Sequence, residues 1–497
     1  MKHTLKRLFL SALVAFTVYG CATVGPEYEA PEAKVQTDWL EYQDPLVDST
    51  QMVNPEWWKT AFKDPILDQL VEFALEQNLS LRSTGLRVLQ SQQRLAIAIG
   101  NQFPQQQQLS GSASRQKSSG VTFNNYAIGF NVGWEIDFWG RFRLEVESAS
   151  AALDASVANY DSVMVSLIAQ VAQNYLLILT TQERLTFAVH NVDLQQESVR
   201  VTSAKYEAGE VSALDLNQAQ TVLYNTRGSV AGLELSLQQL KNSLATLLGE
   251  PPQDMSALLG PVKPIPSVAS ELALGMPQDL IRQRPDIRSA ERQLASQSAQ
   301  IGVAVSELYP SFAIGGSIGT NAMNTSDLFN SPSTTWGLLG GFQWNIFNYG
   351  RLKSNIRLQD AVFQQLLEDY RQTVLQAQAE VENNIIAFLK SQQQLEAHRL
   401  AAEASQRAAT ISTAQYQDGL VDFNTVINTL ISLSAQQDQL ASTQGAVTTN
   451  LIAVYKSLGG GWEIRESMEP DDLIPDETRD EMLERTKYWK KAFKEDG

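Results

Sequence analysis

Across 497 residues the chain has one cysteine, three histidines and 38 basic residues against 55 acidic ones. A lone Cys21 excludes an internal disulfide. With only His3, His190 and His398 beside it, at unrelated positions, it leaves no ligand set for a structural zinc. No metal and no cofactor is expected. The formal net charge of −17 is the opposite of a nucleic-acid binder, whose footprint is a basic patch or stripe. No nucleic acid is therefore expected as a partner. Beyond the first twenty residues no stretch reads as long and apolar enough for a membrane-crossing helix. Proline and glycine are both missing from 141–208 and again from 351–418. Those two gaps exclude turns over unusually long spans.

What is present begins with an export pattern. Lys2, Lys6 and Arg7 precede the apolar run 8–18, and Gly20 is a small residue before the expected cut. The run is too short to span a bilayer, so residues 1–20 read as a signal peptide. One reading is a plain secreted protein cut nearby. The other rests on V-Y-G-C at 18–21, which resembles the lipobox of bacterial lipoproteins. On that reading Cys21 becomes the lipidated first residue, and 21–61 is a lipid-anchored N-terminal arm.

The chain repeats itself. "WEIDFWGRFR" at 134–143 resembles "WNIFNYGRLK" at 344–353, and "KYEAGEVSALDL" at 205–216 resembles "QYQDGLVDFNTV" at 415–426. "LLGE" at 247–250 resembles "SLGG" at 457–460, and all three pairs share an offset of 210 residues. Upstream, Phe103 and Tyr309 each precede a proline at a slightly shorter offset, so a small insertion lies between Tyr309 and Gly350. Two copies are expected, 62–250 and 275–460, joined by a proline-rich linker at 251–274. An acidic tail, 461–497, shows no apolar period. Packing against the helices and freedom from them both remain open for it.

Each copy has an extended part. Tyr126, Ile128, Phe130, Val132, Trp134, Ile136 and Phe138 alternate with small or polar residues. Period-two alternation puts them on one face of a strand. The second copy does the same with Trp336, Leu338, Phe342, Trp344 and Ile346. Expected strands cover about 105–117, 121–138, 309–320 and 334–347. A soluble sandwich is the plainer reading. A membrane barrel is the sharper one, since such alternation with aromatic ends is its signature. Four strands are too few to close a barrel, because the smallest have about eight. An open sheet would leave backbone groups unpaired in lipid. Several chains must then share it, and three chains of four strands would give about twelve.

The helical part is longer. Helices are expected at about 141–208, 212–248, 351–418 and 422–458. Val171, Ile178, Leu185, Val192, Val199 and Tyr206 recur every seven residues, with Val381, Phe388, Leu395, Ala402, Ala409 and Tyr416 in the same phase of the second copy. This is a coiled-coil seam. Some 68 residues at 1.5 Å each give roughly 100 Å of helix. Both helices end at a Y-x-x-G turn, where Gly209 and Gly419 are expected to take the left-handed conformation. Ser212 is the expected cap of the next helix, with Asp215 three residues on, and Asp422 holds the equivalent cap position. Asp215 is then either a first-turn carboxylate favoured by the helix dipole or a gating residue.

Together, "CATVGPEYEAP", the duplicated strand–hairpin–helix order, the "FWGR" and "NYGR" junctions and the paired Y-x-x-G turns resemble the TolC-like outer-membrane efflux channels. The resemblance is in particular to the lipoprotein branch related to OprM, and it covers nearly the whole mature chain. It implies a mixed α-helical and β-barrel membrane protein: a homotrimer with a twelve-stranded barrel in outer-membrane lipid and a long helical barrel in the periplasm. It also implies partners, a periplasmic adaptor and an inner-membrane transporter of the resistance–nodulation–division type. The chain would serve as the exit duct for small molecules in a Gram-negative bacterium.

In such channels, contacts between neighbouring helical tips hold the closed state. A tyrosine–aspartate contact of the family falls on Tyr416 and Asp215. A latch arginine falls on Val421, and constriction aspartates fall on Thr425 and Asn428, so those elements are expected to be missing. Glu207, Glu210, Asp418 and Asp422 remain to make the mouth negative, which favours cations. The tip turns at Gly209 and Gly419 are the expected adaptor contact.

An enzyme is not expected. "GGSIG" at 315–319 fits the nucleophile-elbow pattern, but that motif needs a strand-to-helix turn and a histidine partner. Ser317 lies inside an alternating strand. The rival transport reading is the duct of a type I protein secretion system. A structural periplasmic coiled-coil lipoprotein is a third, disfavoured by the strands.

Overall fold

The computed structural model describes residues 23–48, 54–268, 272–273, 275, 277, 283–490 and 492–493. Cys21 and the signal segment lie outside the described residues. The elements in chain order are β1 (Val47–Asp48), α1 (Trp57–Phe62), α2 (Pro65–Gln77), α3 (Leu79–Gly100), β2 (Gln106–Ser118), β3 (Val121–Ile136), α4 (Arg141–Glu207), α5 (Ala213–Leu247) and α6 (Ser256–Leu259). They continue with β4 (Leu272–Ala273), α7 (Pro285–Ser306), β5 (Ser311–Ala322), β6 (Thr334–Gln343), α8 (Arg351–Gln417), α9 (Phe423–Ser457) and α10 (Asp476–Arg485). The two copies match closely: α4 and α8 are each 67 residues, and α5 and α9 are each 35.

Contacts divide the chain into two compact units. One holds the described residues through Ala33 with Arg87–Ala158 and Arg288–Gln372. The other holds Lys34–Leu86, Asn159–Ile287 and Thr373 onward. Each unit takes part of both sequence repeats, and α4 and α8 run through both.

The first unit contains an antiparallel sheet in the order β2–β3–β5–β6. Its register explains the alternation. Leu109 pairs with Phe130, Phe130 with Ile318, and Ile318 with Trp336, so one apolar row crosses all four strands. These four side chains are exposed, Trp336 to 79%. The next row is Ser110, Gly129, Gly319 and Thr335, which lies on the other face. The sheet therefore has one apolar, uncovered face and one small, polar face. Charge is nearly missing from it: β5 and β6 have none, β3 has Glu135, and β2 has Arg115 and Lys117 near the hairpin.

β3 and β6 stop earlier than the alternation suggests, at Ile136 and Gln343 rather than 138 and 347. In both copies the chain tightens. Phe138 N–H donates to Ile136 O (2.8 Å), and Ile346 N–H donates to Trp344 O (3.1 Å), a three-residue γ-turn that ends pairing. Asp137 then accepts from the N–H groups of Phe142 (3.1 Å) and Arg143 (3.0 Å), satisfying free donors at the start of α4. The N-terminal arm crosses this junction, with Val24 N–H donating to Trp139 O (3.2 Å) and the Tyr28 hydroxyl donating to Glu291 Oε1 (2.7 Å).

The second unit is helical. Trp57, Trp58 and Phe62 of α1 are buried, and Trp57 stacks on Tyr455 at 5.2 Å. Lys263 in the proline-rich linker donates to both oxygens of Asp64 (2.6 and 2.7 Å), which also accepts from the Tyr175 hydroxyl (2.8 Å) and from Ile66 N–H (3.0 Å). Arg284 is likewise held, by Asp286 (2.8 Å), Glu380 (2.8 Å) and Ser457 O (2.6 Å). The acidic tail is packed, not free. Leu473, Ile474 and Met482 are buried, and Arg465 pairs with Asp161, which is 0% exposed.

Two expectations change. An 18-residue window of α4 does pass the length and apolarity test for a span, but 72% of it is buried in the chain, so its apolar side chains serve packing. The heptad seam also drifts in the first copy. Val171 and Ile178 are fully buried, but Tyr206 is 44% exposed, and Asn191, Gln195 and Thr202 take the buried positions instead. A straight helix of 3.6 residues per turn rotates about 20° per heptad away from a 3.5 repeat. The second copy holds its phase, with Val381, Phe388, Ala402, Ala409 and Tyr416 all buried.

Candidate gating site at the helical tips

The drift places polar groups inside the helical unit. Asn191 Nδ2 donates to Gln437 Oε1 (2.8 Å), and Gln437 Nε2 donates to Gln406 Oε1 (3.2 Å), linking α4, α9 and α8. Arg184 grips Asp438 with two bonds (2.7 and 3.1 Å). Beyond these bridges the tip has an apolar core of Ala219, Ala409, Tyr416, Phe423, Val426, Ile427, Leu430 and Leu433.

The two tip turns have the same construction. At the end of α4, Glu210 N–H donates to Lys205 O (2.8 Å) and Gly209 N–H to Tyr206 O (3.0 Å). At the end of α8, Leu420 N–H donates to Gln415 O (2.8 Å) and Gly419 N–H to Tyr416 O (3.1 Å). Both are Schellman caps, in which the glycine must take a positive φ. Gly209 has φ +76° and Gly419 has φ +75°. A side chain at either position would strain the backbone.

The carboxylates at the turns are mostly engaged in capping. Asp215 Oδ2 accepts from Ser212 N–H (2.9 Å) and from the Ser212 hydroxyl (2.9 Å), a reciprocal capping box at the start of α5. Asp422 Oδ1 accepts from Thr425 N–H (2.9 Å) and its hydroxyl (2.8 Å). Those two hydrogen bonds hold the Asp422 carboxyl below the usual range. Glu207, Glu210 and Asp418 are exposed beside them. Val421 joins the apolar core, where the family's arginine would sit, and Asn428 is exposed.

Tyr416 is buried to 6% exposure and its ring lies 5.3 Å from Phe423. Its hydroxyl is buried and has no hydrogen-bond partner. Thr202 lies alongside and donates its own hydroxyl to Ser198 O (2.9 Å). Burial pushes the Tyr416 hydroxyl up in pKa, and the negative charges of Asp215 and Glu210 push it further. The chain thus brings Asp215 near Tyr416 without a bond between them.

One residue that sequence reasoning passed over is Lys205. Its ammonium donates to Tyr416 O (3.3 Å), lies 4.8 Å from the Tyr416 ring centre, and is 3.9 Å from Glu210 Oε2. The available signal was composition: Lys205 is the lone basic residue in either tip-turn motif, "KYEAGEVSALDL" or "QYQDGLVDFNTV". Ser317 pairs with Asn131 and Gly337 within the sheet, so no nucleophile elbow forms there.

An apolar-faced sheet feeding pairs of very long helices, each pair closed by a glycine turn, defines a membrane channel of the mixed barrel-and-helix class. The chain belongs to the outer membrane efflux protein family, matched over residues 70–250 and 276–460. It is 33% identical over 438 residues to the pyoverdine export outer membrane protein OpmQ of Pseudomonas putida, covering 85% of this chain and 92% of that one. It is 27% identical over 474 residues to the probable outer membrane lipoprotein SilC of Salmonella typhimurium, covering 92% and 99%. Among solved structures it superimposes on the open state of the Neisseria gonorrhoeae MtrE outer membrane channel with a TM-score of 0.81 at 28% identity, covering 89% and 99%. This protein is accordingly an outer-membrane efflux channel. Members of the family are efflux channels of the outer membrane.

Proposed function

We propose that three copies of this chain form the exit duct of a tripartite pump. It conducts small molecules such as drugs passively from a periplasmic adaptor and an inner-membrane transporter of the resistance–nodulation–division type to the outside. The observation that carries the small-molecule reading is the near full-length likeness to a protein named for pyoverdine export. The trimer is supported by the two open edges of the sheet, β2 and β6, which lipid would leave unsatisfied. Lipidation of Cys21 adds a tether at the membrane, and the likeness to a named outer membrane lipoprotein supports it. The adaptor contact falls on the turns at Gly209 and Gly419.

The gate in this reading is the tip. Tyr416 of one tip and Asp215 of another restrain opening, and Glu207, Glu210, Asp418 and Asp422 give the mouth its negative charge. In planar bilayers, trimers with Tyr416→Phe and Asp215→Ala should conduct more than the parent. Unchanged single-channel conductance would sink the gate. For the cargo, deletion of the gene should sensitise cells to small toxic compounds. Loss of a secreted protein with no such sensitivity would favour the type I secretion duct instead.

A further inference from the structure

The capping geometry leaves the restraint at the tips unevenly shared. Asp215 commits its Oδ2 to Ser212, within its own turn. Lys205 instead reaches from the end of α4 to the end of α8. From these contacts we infer that Lys205 is the positioning residue that clasps the two tips of each chain together, by seating its ammonium on Tyr416. The inference rests on the gate reading above and adds to it a residue, a bond and a sign of charge.

Three features make Lys205 suited to this. First, its ammonium meets the carbonyl of Tyr416, which is at the C-terminal end of α8, where the helix dipole is negative and favours a cation. Second, it lies within 4.8 Å of the centre of the Tyr416 ring, whose face attracts a cation. Third, its side chain is only 22% exposed, so water weakens neither contact fully. Glu210, at 3.9 Å, holds the ammonium from its own side of the turn. The clasp acts on a ring with room to move. Tyr416 borders a 230 Å³ cavity that Leu194, Val201 and Leu430 also line. Without Lys205 the ring is free to shift into that space, and the end of α8 with it.

Lys205 is also the sole cation among the tip carboxylates Glu207, Glu210, Asp215, Asp418 and Asp422. It therefore has a second effect, which a merely structural residue would lack: it offsets the field that selects cations at the mouth.

The test uses full-length trimers in planar bilayers under a potassium chloride gradient. Lys205→Met keeps an unbranched stem close to that of lysine and removes the ammonium and its charge. It should raise single-channel conductance at least twofold and shift the reversal potential toward stronger cation selectivity. Lys205→Arg keeps the cation and the ring contact and should behave as the parent in both readouts. If Lys205→Met leaves both unchanged while Tyr416→Phe with Asp215→Ala raises conductance, the clasp is refuted and the gate reading stands. If neither variant raises conductance, the gate reading falls and the clasp with it. If Lys205→Met raises conductance but Lys205→Arg does so equally, the effect is one of packing and the inference is overturned.

Discussion

Replacing Lys263 by methionine should loosen the linker between the two repeats. Lys263 bonds both oxygens of Asp64 at 2.6 and 2.7 Å, and Asp64 is only 6% exposed. After the change the carboxylate keeps the Tyr175 hydroxyl and Ile66 N–H but loses its counter-charge. Breaking a buried pair from one side costs roughly 3–5 kcal/mol. Lys263 keeps 30% of its side chain exposed, so the low end applies, about 3 kcal/mol once solvent screening is allowed for. That is about a hundredfold more frequent local opening of the segment. Limited proteolysis of assembled trimers reads this directly, because cleavage tracks the open population when reclosing is fast. Cleavage within 251–266 should accelerate by about that factor. Adding Asp64→Asn removes the stranded charge and should bring the rate most of the way back. Cleavage rates within twofold of the parent in the single variant would refute the reasoning. Acidity should act in the same direction on the parent protein. Burial raises the Asp64 carboxyl, but the hydrogen bonds from Lys263, Tyr175 and Ile66 outweigh it, and the net effect is a lowered pKa. A lowered folded pKa means that the stabilisation is complete above the ordinary carboxylate range and is lost as pH falls through the folded value.

Two more perturbations follow from the packing. Gly445→Val should lower the apparent melting temperature of the trimer, because even a Cβ at Gly445 would lie 2.3 Å from Thr180 Oγ1 and 2.6 Å from its Cγ2. Overpacking of this kind costs about 1–3 kcal/mol, and Thr180→Ala in the same chain should restore part of it; an unchanged melting profile would show that α4 and α9 are not so tightly crossed. Cys21→Ser should reduce the yield of assembled trimers yet leave their conductance at the parent level. Loss of conductance in correctly assembled trimers would contradict the tether reading.

Much of the architecture was legible because local rules and tertiary packing agree. The 210-residue offset, the alternation around Phe130 and the glycine stops at Gly209 and Gly419 each report a single strong constraint. Where two constraints compete, the sequence is less readable. The seam of α4 is written as a heptad, yet beyond Leu185 it is Asn191, Gln195 and Thr202 that are buried, the direction in which a helix of 3.6 residues per turn departs from a seven-residue repeat. The tail packs through the adjacent pair Leu473 and Ile474, the distant Met482 and one ion pair, Arg465 with Asp161, which have no period to detect. The tip site was half visible. Tyr416 and Asp215 came from family resemblance, whereas Lys205 acts across 211 positions of sequence. A lysine four residues before a glycine turn looks like any C-terminal helix cation until the partner helix is in place.

The near-absence of charge from the sheet has a consequence for electrical measurements. By register its second face is mostly serine, glycine, asparagine, glutamine and threonine, with Val121, Phe123 and Leu339 among them, and its one charge is Glu135, which Arg141 pairs at 3.1 Å. If that face lines the pore of the proposed trimer, it offers little fixed charge to attract either sign of ion. A reversal potential recorded from the whole protein should then report chiefly on the helical part, with Arg115 and Lys117 near the hairpin as the remaining charges the strands contribute.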